Sequence, residues 1–212
     1  MGKANASLVP PTSPYYKGAI FEGYVHDPER ARALLAEAGY DGATIQLIAN
    51  TRYPNSYDAA VIAREMLSQA GINAELEVMA WGAQFDHYLA GTYMSMSFPY
   101  SARFDPALAF DSVIGNKDAE PRKPWDDAEA QGWKDEALKA SDPALRQGLF
   151  DRLHARFVEE VPFILLYDGL DVTGHGSNVK GYSASIFAMP RLFLRVGRIG
   201  AAQATGRCRG SS

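Results

Sequence analysis

The chain has 212 residues, 47% of them hydrophobic and 22% charged, with a formal net charge of −4 at pH 7; this supports one folded domain, or one with an appendage, with a substantial core and excludes a disordered chain. The single cysteine, Cys208, excludes an intrachain disulfide and leaves the redox compartment open. Five arginines and no acid follow Met189 (Arg191, Arg195, Arg198, Arg207, Arg209), so the rest of the chain is acidic, which argues against nonspecific nucleic-acid binding through phosphate neutralisation.

Residues 1–23 carry Pro10, Pro11 and Pro14 among Ser and Thr and read as a linker entering a domain. Residues 1–5 lack a hydrophobic signal core, and no run reaches the roughly 18 apolar residues of a membrane span, so the chain as given is expected to be soluble without an export signal. Asp27-Pro28 then pairs a capping carboxylate with a proline at the first helical position. Ala31, Leu34, Leu35 and Ala38 follow at i, i+3, i+4 and i+7, and Gly39 offers the left-handed residue that ends a helix. Ile45, Leu47 and Ala49 alternate with Thr44, Gln46 and Ile48 as a strand with at least one buried face. A second helix puts Ala59, Ile62, Ala63, Met66, Leu67 and Ala70 on its apolar face and closes at Gly71, and a second strand alternates Ala74, Leu76 and Val78 with Glu75 and Glu77. Helix, strand, helix and strand with short links is the pattern of an α/β layer whose strands lie parallel through right-handed crossovers.

Trp81 precedes a short helix around residues 84–90 that uses Phe85, Tyr88 and Leu89 and closes at Gly91; a third strand is expected over 93–98, with Met94, Met96 and Phe98 on one face. The segment 99–106 lies just beyond that strand and before a helix capped by Asp105-Pro106. Ligands of open α/β sheets bind outside the carboxyl ends of strands. Tyr100, Ser101, Arg103 and Phe104 are therefore candidate ligand-binding residues that could stack on and hydrogen-bond a small polar solute. Packing aromatics and a solvated arginine explain the same residues equally well.

A polar loop spans 115–126. A helix over 127–141 turns Ala130, Trp133, Ala137 and Leu138 inward, and Asp142-Pro143 starts another with Leu145, Leu149, Phe150, Leu153, Phe157 and Val158, ended by Val161-Pro162. The run 163–167 (Phe-Ile-Leu-Leu-Tyr) reads as a strand buried on both faces, and a last strand is expected at 192–194.

Motifs of chemistry are absent: no Gly-rich phosphate loop, no Gly-x-Ser-x-Gly elbow, no His-Glu-x-x-His helix and no cysteine pair for zinc. The histidines (His26, His87, His154, His175) are dispersed and read as surface or satisfied core groups. Asp126-Asp127 and Glu159-Glu160 adjoin helix ends, where solvated charge is the common explanation. No cofactor and no metal site is expected.

The order of features resembles the family 5 solute-binding proteins of ABC importers. The resemblance rests on Val9-Pro10-Pro11; on Asp27-Pro28-Glu29-Arg30-Ala31 through Gly39-Tyr40; on Gly71 before a strand and Trp81 after it; and on Asp105-Pro106, Asp142-Pro143-Ala144-Leu145-Arg146, Val161-Pro162-Phe163-Ile164 and Asn178-Val179-Lys180-Gly181-Tyr182. It implies an α/β, type II periplasmic-binding-protein-like lobe with a mixed sheet flanked by helices. It further implies the C-terminal half of a longer two-lobed clamp: residues 1–23 entering the lobe, 24–162 the ligand-binding lobe, 163–198 a hinge strand and return segment toward a missing first lobe, and 199–212 a disordered tail. The peptide binders of the family carry a Trp and an Asp where this chain has Pro99 and Ala102. The loop is closer to the nickel-complex binders, in which aromatics project at the places of Tyr100 and Phe104, and Arg103 would favour an anionic ligand.

The resemblance thus implies a non-enzymatic, periplasmic receptor that captures a small polar solute (a peptide, nickel complex or similar) and hands it to an inner-membrane ABC permease. A face left open by the missing lobe would drive self-association. The alternative class is a hydrolase-like α/β enzyme using Asp or Glu with His.

Overall fold

The computed structural model describes residues 2–17, 25–101, 103–169, 172, 174, 176–180 and 197–198. The element order is β1 (Gly2–Ala4), α1 (Pro28–Glu37), β2 (Ile45–Ala49), α2 (Pro54–Gln69), β3 (Ala74–Val78), α3 (Trp81–Ala90), β4 (Ser95–Met96), α4 (Pro106–Val113), α5 (Ala128–Lys139), α6 (Pro143–Glu160), β5 (Tyr167–Gly169), β6 (Val179–Lys180) and β7 (Gly197–Arg198). The chain falls into two units, Ala4–Asp168 and Met1–Lys3 with Gly169–Ser212. In the smaller one β6 and β7 pair antiparallel, Val179 opposite Arg198. The strand expected at 192–194 and the tail expected at 199–212 lie outside the described residues.

In the larger unit β2 is the central strand of a three-stranded sheet in the order β3-β2-β4, parallel throughout. Ile45 lies opposite Ala74 and Ala49 opposite Val78 on one side, and Leu47 opposite Ser95 on the other. Leu47, Ile48 and Ala49 are all buried, so both faces of the strand are covered at its carboxyl end. The expected third strand is only two residues long, and Met94, expected on its apolar face, is 65% exposed.

Four helices start on an aspartate. Asp27, Asp105, Asp127 and Asp142 each accept a hydrogen bond from a backbone N–H of the first turn, and a proline follows directly at α1, α4 and α6. The expected ends hold too: Gly39, Gly71 and Gly91 have φ of +66°, +89° and +66°. Helix α6 stops at Val161 with φ +47°, a conformation that strains a β-branched residue, immediately before Pro162.

Two apolar clusters form. The larger joins α4, α5 and α6: Phe110 stacks on Phe150 at 6.1 Å, Trp125 meets Phe157 edge-on at 5.9 Å, and Leu149 and Leu153 fill the space between helices. Val9, wholly buried, and Tyr15 come from the segment read as a linker and pack into this cluster, Tyr15 edge-on to Phe150 at 5.0 Å. The smaller cluster sets Leu47 and Ala49 against Ala60, with Tyr57, Ala63 and Leu76 around them.

Helix faces are where the expectations fail. α2 meets the sheet through Tyr57, Ala60 and Ala63, so Ile62 and Met66 point outward and line an open groove of ≈ 370 Å³ with Leu166 and Tyr167. α1 buries no residue, and Leu34, Leu138 and Leu145 are exposed. Residues 163–166 form no strand: Phe163 and Leu165 lean on the larger cluster, while Ile164 is 73% exposed. Period identifies a helix, but which stripe meets the sheet depends on the crossover, and small Ala60 allows a closer approach than Ile62.

At the turn after α3, a Cβ on Gly91 would lie 2.6 Å from the Pro121 carbonyl oxygen, and its φ is positive, so only glycine fits. Gly91→Ala is expected to lower the unfolding free energy by roughly 1–3 kcal/mol in urea titration. A second expectation concerns Asp127, which receives the Ala130 N–H at 2.8 Å and Arg156 Nε at 2.9 Å. Burial alone would raise its pKa, but these partners outweigh burial and hold the carboxyl below its ordinary value of 3.8. A depressed carboxylate stabilises the fold above its unfolded pKa, and that contribution is lost as pH falls through the folded value. Asp127→Asn, which keeps a capping side chain, is therefore expected to be less stable than wild type at pH 7, with the gap closing as pH falls below the ordinary aspartate range.

Candidate functional site

Because β2, β3 and β4 are parallel, their carboxyl ends emerge at one edge. The connection from β2 leads to one side, and the next crosses β2 to reach β4. Crossovers running in opposite directions make the carboxyl ends of β2 and β4 the topological switch point, the place where open α/β sheets form a ligand crevice. Residues 50–53 border it on one side and residues 97–105 on the other.

A row of rings follows this crevice. Tyr53, the residue before α2, meets Trp81 edge-on at 4.9 Å; Trp81 lies 5.4 Å from Phe98. Phe98 stacks on Tyr88 at 4.3 Å and carries Tyr100 edge-on at 5.5 Å. Trp81 and Tyr88 come from α3, one near its start and one two turns on, so a single helix supplies the middle of the row. Guanidinium groups stand beside the row, one at its Tyr53 end and one at Tyr88. Arg52 lies 5.9 Å over the Tyr53 ring, exposed and without an ion pair among the described residues. Arg122 is held by the Tyr88 side chain and by Glu120 at 3.0 Å.

Beneath the rings lies a buried polar network. Gln84 Oε1 accepts from Asn50 Nδ2, Gln84 Nε2 donates to the Ser97 carbonyl at 2.9 Å, and Asn50 Oδ1 accepts from the Tyr53 N–H at 3.2 Å. The Ser97 hydroxyl donates to the Ser56 carbonyl at 2.7 Å. These bonds tie the ends of β2 and β4 and the starts of α2 and α3 together.

Tyr100 is 42% exposed, but partial burial of its phenol, and then the neighbouring Tyr88 and Tyr93, push it above its ordinary value of 10, against the lowering field of Arg122. Tyr100 therefore remains a neutral phenol at physiological pH, able to donate or accept.

Of the four residues expected to bind ligand, only Tyr100 enters the row. Ser101, Arg103 and Phe104 lie on the exposed loop, Phe104 at 51% exposure, and Ala102 is outside the described residues. Asp105 anchors the loop's far end, capping α4 through the Ala107 N–H at 2.9 Å while pairing with Arg146 of α6. Arg52, Tyr53 and Trp81 were missed, although the placement rule that selects the loop after β4 applies equally to the turn after β2. Among the described residues no three His, Cys, Asp or Glu side chains come together as a metal site.

The profile of the bacterial extracellular solute-binding proteins, family 5 (middle part), matches residues 1–119. The chain is 31% identical over 181 residues to di/tripeptide-binding protein 4 of Pseudomonas aeruginosa, covering 82% of this chain and 34% of that protein. It is 25% identical over 203 residues to the glutathione-binding protein GsiB of Escherichia coli K12, covering 82% and 36%. Its fold matches the periplasmic binding protein DppA of Helicobacter pylori, solved with the peptide STSA, at a TM-score of 0.75 with 24% identity over 85% of this chain and 36% of that one. The chain thus spans about a third of the length of the relatives it matches, and its architecture is the α/β fold of the type II periplasmic binding proteins. A match over more than half its length places the chain in family 5 of the bacterial extracellular solute-binding proteins.

Proposed function

We propose that the crevice at the ends of β2 and β4 is one side of a solute site, in the lobe of a periplasmic receptor that delivers a small peptide-like acid to an ABC permease without chemistry of its own. The observation that carries this is the row of rings at a topological switch point, flanked by exposed arginine. Ring faces contribute contact area to apolar side chains, and a guanidinium takes a carboxylate in two parallel hydrogen bonds. Family membership supports the role, and the named ligands of the relatives (di- and tripeptides, glutathione) support a peptide-like acid over a nickel complex. In this reading Tyr100 belongs to the ring surface, and Arg52 and Arg103 are the anion contacts. The periplasmic location and the permease partner follow from the family.

The hydrolase-like alternative needs a carboxylate with histidine at the crevice. Asp105, the acid that closes the loop after β4, is engaged elsewhere, paired with Arg146 of α6.

The test uses a chimera in which this chain replaces the matching third of the Pseudomonas di/tripeptide-binding relative. Titration calorimetry with a di- and tripeptide panel is expected to give saturable binding with no product formed. Arg52→Ala and Arg103→Ala are each expected to weaken it about tenfold to a hundredfold, the worth of one charge-assisted hydrogen bond of about 1.5–3 kcal/mol. Unchanged affinity in both variants would reduce the arginines to solvated surface, and a robust hydrolysis rate would remove the receptor reading.

A further inference from the structure

Gln84 is wholly buried on α3, between two strand ends that no longer pair. The backbone ladder of β2 and β4 stops at the bond from Ser97 N–H to the Ile48 carbonyl, 2.9 Å. One residue further each chain turns away, and a gap opens into which Gln84 reaches. Its amide works in both directions, accepting from Asn50 Nδ2 and donating to the Ser97 carbonyl, while Asn50 accepts from the Tyr53 N–H. The relay runs from the Tyr53 N–H through two side-chain amides to the Ser97 carbonyl, in one sense along its whole length. Each end of it lies next to a ring of the row: Tyr53 itself on the β2 side and Phe98 on the β4 side.

We propose that Gln84 is the positioning residue of the solute site, its amide setting the spacing of the β2 and β4 ends and thereby the alignment of Tyr53, Trp81 and Phe98; this rests on the reading of that row as the solute site. Gln84 suits the task for reasons of chemistry. A side chain without both a donor and an acceptor leaves either the Asn50 amide or the Ser97 carbonyl buried and unpaired. An aliphatic residue of equal length would fill the same space without fixing the gap. The backbone at both strand ends is then free to shift toward other partners, and Trp81, one turn before Gln84 on the same helix, shifts with it.

The full chain labelled with 5-fluorotryptophan separates positioning from general stability. Trp125 and Trp133 belong to the cluster of α4, α5 and α6, whereas Trp81 lies in the row, so the two distant tryptophans serve as references in fluorine NMR. In Gln84→Met, which keeps side-chain length and removes the amide, the Trp81 resonance is expected to move by more than its line width while the other two stay. Affinity for the dipeptide Ala-Phe, titrated by calorimetry into the chimera with the Pseudomonas relative, is expected to fall at least tenfold. A Trp81 resonance that stays put would overturn the proposal, because packing alone would then align the row. Three resonances moving together would overturn it as well, by making Gln84 a general stability element. Should Gln84→Met not fold, hydrogen exchange on wild type decides: a Tyr53 N–H protected well beyond its neighbours at 51 and 52 supports the relay, and exchange at their rate refutes it. Absence of Ala-Phe binding by the chimera without the Gln84 substitution counts against the peptide reading, while the Trp81 resonance still decides the role of Gln84.

Discussion

A parallel strand cannot be left by a tight hairpin. The chain must cross back over a face of the sheet before the next strand begins, so every strand delivers its carboxyl end to the same edge. In this protein β2 carries that constraint for the whole larger unit. It is the only strand of the sheet bonded on both sides, and three consecutive buried residues, Leu47, Ile48 and Ala49, fill the two faces at its carboxyl end. A one-residue slip would send Leu47 and Ala49 to the wrong face, so register is strongly specified. With β2 held there, residues 50–53 and 97–105 have nowhere to emerge except beside one another.

That arrangement leaves a polar problem. Where β2 and β4 diverge, backbone groups lose their ladder partners at a partly buried place. The chain answers it with amides and hydroxyls from α2 and α3, so Asn50, Ser56, Gln84 and Ser97 are polar at positions the apolar pattern would fill with hydrocarbon. Buried networks of this kind are costly when half made and rigid when complete. Above this one stands the ring row, whose edge-on and stacked contacts follow from the quadrupole of each ring as well as from its area.

The outer wall of the crevice depends on the helical layer. Asp105 closes the loop after β4, caps α4 and pairs with Arg146, while the Arg146 guanidinium lies 5.2 Å over Tyr15 and 5.4 Å over Phe150. Among the described residues Arg146 Nε has no hydrogen-bond partner, and the two ring faces offset part of that loss. The segment around Tyr15, far from the loop in sequence, thereby supports one border of the crevice. The result is a loop held at one end by the sheet and at the other by the helical cluster, with Ser101, Arg103 and Phe104 exposed between.

Local chemistry was enough for the sequence to announce its helices, their aspartate caps, the glycines that end them and the parallel α/β order, because each of those is decided within a few residues by backbone hydrogen bonding and conformational freedom. The rule that ligands gather at strand ends also singled out the loop that carries Tyr100, whose ring meets Phe98 edge-on. Tertiary structure alone decided which helix face is buried, since the same period accommodates Ile62 or Ala60 inward and only the approach of α2 to β2 chooses between them. It likewise turned the apolar run 163–166 out of any sheet, because a run of that kind becomes a buried strand only if neighbours cover both faces, and Ile164 stays 73% exposed. Arg52, Tyr53, Trp81 and Phe98 are brought together by two crossovers running opposite ways around β2. No spacing along the chain encodes that meeting, which depends on strand order, a property of the whole sheet.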